Sequence, residues 1–219
     1  MVVGATSCFV FMYCGSMGVQ VQTLEEFLKY HDLYQLYLLA RKYLPTLPDP
    51  RDVYVAPWEC SPCRYLDTAL GCTWKADGKL YVSFREHIPS IFVILHELIH
   101  LAGGGEWEAY NYLPALWYAI RTEMPPFNLL KLREVDMETL DRISRRLFGV
   151  PVLKLVVDYM AVIPPCTELY TDGDIIVKFR EGLSEHEKAQ CLLAVIISGL
   201  ETGNWIAIRF FEELVKMLH

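Results

Sequence analysis

Val93-Ile-Leu-His-Glu-Leu-Ile-His-Leu-Ala-Gly-Gly-Gly-Glu-Trp-Glu108 is the stretch from which the rest of the chain is read. Within it, His96-Glu97-Leu98-Ile99-His100 has the H-E-x-x-H pattern. Histidines at i and i+4 leave one face of a helix a turn apart, so both can reach one metal ion. Glu97 follows the first ligand and can act on a metal-bound water as general base. Zinc draws the pKa of such a water towards neutrality. The flanking residues Val93, Ile94, Leu95, Leu98, Ile99, Leu101 and Ala102 are apolar and predict a buried helix from about Ser90 to Ala102. Burying His, Glu and His inside such a helix is costly unless they are paired or bound to metal. Gly103-Gly104-Gly105 then ends the helix, because glycine takes a left-handed C-cap without strain.

Catalytic zinc usually keeps three protein ligands and one open position. Glu106 and Glu108 lie just past the glycine turn, and either can supply the third ligand. The stretch resembles the zincin metallopeptidases. In gluzincins the third ligand is a glutamate, often in an E-x-x-A arrangement, and Glu106-Trp107-Glu108-Ala109 has that form. In the metzincin pattern H-E-x-x-H-x-x-G-x-x-H, positions 96, 100, 103 and 106 fall in register, with Glu106 in place of the last histidine. The resemblance therefore implies Glu106 as the third zinc ligand, with Glu108 in reserve. The spacer is shorter than in gluzincins, there is no separate Met-turn, and the match covers only this part of the chain.

The chain has 219 residues, 53% of them apolar, which is enough to bury one large core or two small ones. Twenty basic residues against 27 acidic, with no basic run, argue against a nucleic-acid partner. Seven cysteines include Cys60-Ser-Pro-Cys63, a C-x-x-C without the second pair that a structural zinc site needs. Buried thiols or one local disulfide are expected. The apolar segment Val2–Val19 has no preceding Lys or Arg and is interrupted by Cys14, Gly15, Ser16 and Gly18. It is too short and too polar for a membrane span or a clear signal peptide. Residues 1–22 are read as an apolar N-terminal segment, and a cytoplasmic location is the default.

In chain order, the capping box Thr23-Leu-Glu-Glu26 opens one helix to about Leu44. Asp52–Ala56 is a strand, and residues 57–76 form an irregular connection. After the Asp77-Gly78 turn, Lys79–Arg85 is a strand. Helices follow from about Ser90 to Ala102 and from Glu106 to Arg121, the second kinked or split at Pro114. Another runs from Asp136 to Leu147. Leu153–Val162 reads as a strand, Asp172-Gly173 as a turn and Asp174–Arg180 as a strand. A second capping box, Ser184-Glu-His-Glu187, opens a helix to about Leu200, and a last helix runs from about Gly203 to Leu218.

This order repeats. Asp77–Glu86 matches Asp172–Glu181 at six of ten positions, at an offset of 95. Further on, His96–Trp107 falls on Ala194–Trp205, so that Trp107 meets Trp205 and Ala109 meets Ala207. We expect an α+β fold built from a tandem-duplicated helix–strand–strand–helix–helix unit. The first copy spans residues 23–125 and the second 126–219. In the second copy His96, Glu97, His100 and Glu106 become Ala194, Val195, Ser198 and Asn204, so the four chemical positions are lost together.

The resemblance implies a zinc-dependent metallopeptidase with a peptide or protein substrate. It also implies that Lys79–Arg85 is the edge strand along which a peptide would lie. Tyr110, Tyr112 and His87 are the candidates for the oxyanion donor. The alternatives are a non-catalytic metal-binding or interaction protein on the same scaffold, and a structural domain whose motif is accidental.

Overall fold

The structure is a computed structural model that describes residues 21–172 and 174–218, with the side chains of Asp172 and Asp174 left aside. The apolar segment Val2–Val19 lies outside the described residues. The fold is α+β, and the chain divides between Leu113 and Pro114 into two compact units. That division falls ahead of the junction at 125–126 expected from the sequence.

In the first unit a four-stranded sheet carries β1 (Gln22–Thr23), β2 (Val53–Val55), β3 (Gly71–Ala76) and β4 (Lys79–Phe84), in the order β1-β2-β4-β3. β4 pairs parallel to β2 on one side and antiparallel to β3 on the other. Lys79–Phe84 is therefore an interior strand and not the expected edge. From Tyr81 to Phe84 every residue is buried, so simple alternation fails there. The edge next to it is β3, which lies inside the stretch expected to be irregular. Asp77 (φ 50°) and Gly78 (φ 76°) join the two strands, and two positive φ values in succession are what a two-residue type I′ hairpin demands.

Three helices cover the sheet's neighbourhood before the site. α1 (Leu24–Tyr30) starts with the expected capping box, Thr23 Oγ accepting from the Glu26 amide at 3.2 Å. The single helix expected to reach Leu44 is broken, and α2 begins again at Tyr34 and ends at Arg41. Asp32 takes φ 57° at the break, and Leu33 N–H returns to Leu28 C=O at 2.7 Å. Aspartate tolerates the left-handed region better than most residues, so an apolar period alone overruns this stop. α3 (Ile91–Leu101) is the H-E-x-x-H helix, capped by Ser90, and it packs against β3. Its buried face is Ile94, Leu95, Leu98, Ile99 and Leu101.

α4 (Glu106–Arg121) runs unbroken through Pro114, so the proline does not split it. In the second unit, α5 (Met137–Phe148) is capped by Asp136 and closed by Gly149 at φ 75°. Leu153–Val162 is not a strand: Val152–Lys154 is a helical turn, continued by a π-turn over Leu155–Tyr159. Asp141 Oδ1 accepts the Val152 amide at 2.9 Å and starts the turn. Val152, Leu155 and Val156 are the buried residues, an i, i+3, i+4 spacing that the β-branched composition disguised. β5 (Thr167–Asp172) and β6 (Asp174–Phe179) form a two-stranded sheet. α6 (Glu185–Ser198) opens with the second capping box, and α7 (Trp205–Leu218) closes the unit.

Along the chain, a hairpin followed by two helices occurs twice, the second helix of the first set running past Leu113. Burial follows the same pattern at the sequence offset of 98. Ile94, Leu95, Leu98 and Ile99 are buried in α3, as are Leu192, Leu193, Ile196 and Ile197 in α6. Ala109 and Ala207 are both fully buried, while Trp107 and Trp205 are both exposed.

Disulfides join Cys63 to Cys72 and Cys166 to Cys191. The C-x-x-C pair is therefore not closed on itself: Cys63 pairs with Cys72, Cys60 is disulfide-bonded as well, and bridges stand where thiols or one local bridge were expected. Among the described residues, no helix is long and apolar enough to cross a membrane.

Candidate metal centre

The site is built at the C-terminal end of α3. Gly103 takes φ +98°, its N–H bonds to His100 C=O, and Gly104 N–H returns to Ile99 C=O at 2.9 Å. This pair of bonds is a Schellman motif, and it satisfies carbonyls that the helix end leaves open. Thr46 Oγ1 donates to the Ala102 carbonyl at 2.6 Å and satisfies another. The turn also serves the site. His100 Nδ1 lies 3.1 Å from Gly104 C=O, so Nδ1–H donates there and Nε2 is left with its lone pair facing inward.

His96 Nε2 and His100 Nε2 approach to 3.2 Å. Glu106, the first residue of α4, places Oε2 3.7 Å from His96 Nε2 and Oε1 3.6 Å from His100 Nε2. The two short approaches use different oxygens of Glu106; taking one ligand atom from each residue, the three lie within 4.8 Å of one another, close enough to hold one metal ion. The 3.2 Å contact suits one ring N–H donating to the other ring's nitrogen, and a bound cation would take the place of that proton. Burial holds the His96 pKa below its ordinary value, the neighbouring His100 adds to this, and Glu106 opposes it. A neutral imidazole is the form that binds metal.

Glu97 is 3% exposed, and its Oε2 accepts a hydrogen bond from Thr73 Oγ1 at 2.7 Å. Burial raises its pKa, against the opposing pull of the Thr73 bond and of His100, while Glu106 adds to the rise. A carboxyl with a raised pKa holds a proton more readily than a surface glutamate, as a general base needs. The other candidate glutamate, Glu108, is engaged differently, its Oε2 accepting the Gly105 amide at 2.9 Å at the start of α4. The reserve ligand is thus occupied as a cap, and Glu106 is the acid grouped with the histidines.

A cavity of about 340 Å³ opens over His96, Glu97, His100 and Glu106, with Phe92 and Tyr110 in its wall. Of the three oxyanion candidates, the structure brings only Tyr110 here, its ring edge-on to His96 at 4.8 Å. Tyr112 is fully buried and packs edge-on against Trp107. The His87 ring packs edge-on against His31.

The sequence pattern does not reveal Gly71 and Thr73, which line the same cavity from β3. The signal for their strand was the Asp77-Gly78 turn itself, because a two-residue hairpin turn needs a strand on both sides. Comparison with family models, with curated proteins and with solved structures finds no match to this chain.

Proposed function

We propose that the chain is a zinc-dependent metallopeptidase, with the metal held by His96, His100 and Glu106. The observation that supports it is the grouping of two imidazoles and one carboxylate, close enough to hold one metal ion, beside a buried carboxylate. When bound, the ion supplies Lewis acidity, which polarises a carbonyl and makes water attack possible near neutral pH. Glu97 takes the proton of the attacking water and passes it to the leaving amine. Tyr110, exposed at the rim, donates its phenol hydrogen to the oxygen where charge develops.

The sheet edge suits an extended peptide. Arg85 N–H bonds to Leu70 C=O at 2.9 Å, and in an antiparallel ladder bonded and non-bonded pairs alternate. Gly71, Thr73 and Lys75 therefore turn their N–H and C=O groups away from β4, towards the open side of β3. A peptide added there gains main-chain hydrogen bonds with little demand on its sequence.

The test is zinc content by elemental analysis and hydrolysis of a mixed peptide library, for wild type, His96→Ala and Glu97→Gln. About one zinc per chain, lost in His96→Ala and kept in a hydrolytically dead Glu97→Gln, is the expected result. Zinc bound by a wild type that cleaves nothing leaves the non-catalytic metal-binding alternative. No zinc in any of the three removes both. The disulfides favour an oxidising compartment over the cytoplasm. The shared hairpin–helix–helix order and burial support descent of the two units from one duplicated unit.

A further inference from the structure

We infer that Gly71 and Thr73 of the edge strand form the seat that sets the Glu97 carboxylate: Thr73 by its hydroxyl, Gly71 by having no side chain. A Cβ at Gly71 would lie 2.7 Å from Glu97 Cγ and 2.8 Å from its Cδ, inside any real carbon contact. The backbone conformation does not demand glycine at this position, since Gly71 is not among the positive-φ residues. The demand is one of space. Two residues along, on the same face of β3, Thr73 Oγ1 donates to Glu97 Oε2 at 2.7 Å. The carboxylate is thus wedged between a bare patch of backbone and a single donor, and it is nearly free of solvent.

These are positioning residues, acting through Glu97. Their main-chain groups face the open edge of the strand while their side-chain faces hold the base. A peptide docked on β3 would therefore press on the same two residues that aim the proton acceptor, which links substrate docking to base alignment. The catalytic consequence rests on the metallopeptidase proposal, whereas the seat itself does not.

Two size-and-bond exchanges test it, on the full chain. In the metal-free protein at neutral pH, Thr73→Val is expected to lower the melting temperature by about 5 °C, because it strands a buried carboxylate. The same change in a Glu97→Ala background should cost less than half as much. Gly71→Ala should likewise destabilise the wild type and be largely tolerated with Glu97→Ala, which removes the atoms it strikes. Additive losses in both cycles would overturn the seat.

In the zinc-loaded protein, Thr73→Val should leave zinc affinity within about threefold and KM nearly unchanged, while kcat falls about tenfold to a hundredfold. Thr73→Ser should recover most of kcat. Loss of KM and kcat together, without rescue by serine, would make Thr73 a substrate-binding residue and overturn its positioning role. A wild type without hydrolysis, but with non-additive melting cycles, would sink the peptidase proposal and leave the seat standing.

Discussion

The helices α3 and α6 are read best against each other. At the offset of 98 both bury the positions of Ile94, Leu95, Glu97, Leu98 and Ile99, and each follows a hairpin and precedes a second helix. The metal-centre residues of α3 have no counterpart in α6. Where α3 carries His96, Glu97 and His100, α6 carries Ala194, Val195 and Ser198. Glu97 is 3% exposed and Val195 7%, so one burial site holds an ionisable group in one unit and an aliphatic group in the other. Packing alone is satisfied by valine. A buried carboxylate costs stability unless it is paired, and such groups gather at functional sites. The turns differ in the same sense. Asn204 caps α7 by accepting the Ile206 amide at 2.9 Å, whereas in α4 the capping falls to Glu108 and Glu106 faces the histidines.

The largest effect should come from making α3 resemble α6 at its ligands. His96→Ala or His100→Ala is expected to weaken zinc binding by at least about a hundredfold, measured by competition with a chromophoric chelator. Retention of full affinity in either variant would mean that the ion sits elsewhere. Next comes Glu97→Gln, which should lower kcat by about 10² to 10⁴ with zinc content unchanged; single-turnover assays on cleavable peptides would read it. An intact rate would move the base to another residue.

The disulfides sharpen the comparison between units. Cys63–Cys72 closes a separation of 9 residues and Cys166–Cys191 one of 25. On the chain-entropy account, replacing each pair by serine should cost about 2.5 and about 3.5 kcal/mol respectively, the second unit losing more. Urea melts of the two paired variants would check the order. Equal or reversed losses would show that native packing, and not loop length, sets the contribution.

The smallest effect is a gain. Glu97→Val, copying α6, should stabilise the metal-free protein at neutral pH by about 1–2 kcal/mol. The sign follows from the raised pKa of Glu97 in the fold. Its contribution to stability is fully present below the unfolded value near 4.5 and is lost as pH rises through the folded value. The gap between variant and wild type should therefore open as pH increases from about 4.5 upward. A gap that stayed constant with pH would show Glu97 to be ionised at no cost.

Much of the site was legible because its logic is local. The i, i+4 histidines, the glutamate between them and the helix-ending glycines act within a single turn of chain, so spacing alone predicts their neighbourhood. Glu106 could not be separated from Glu108 at that level. Both follow the glycine turn, and only the path of the chain into α4 decides which one faces the imidazoles and which one caps. Gly71 and Thr73 were not legible because their role is created by another element. Glu97 lies 24 positions beyond Thr73, and no period in the sequence links a strand residue to the helix packed on it.

The misread elements have the same cause. Leu153–Val162 carries β-branched residues that suit a strand, yet the Asp141 side chain caps its first turn and the burial of Val152, Leu155 and Val156 winds it. The strand Lys79–Phe84 was legible, but its place in the sheet was not. A strand's neighbours are chosen by pairing across the fold, and pairing put β2 and β3 on its two sides. What the sequence determined by itself was local: the helix that carries His96, Glu97 and His100, the turn that ends it, the capping boxes and the repeated order of hairpin and helices. Only the tertiary structure decided which strand forms the edge, which glutamate joins the histidines and what surrounds Glu97. These depend on contacts between distant residues, where the gain from burial and pairing outweighs local preference.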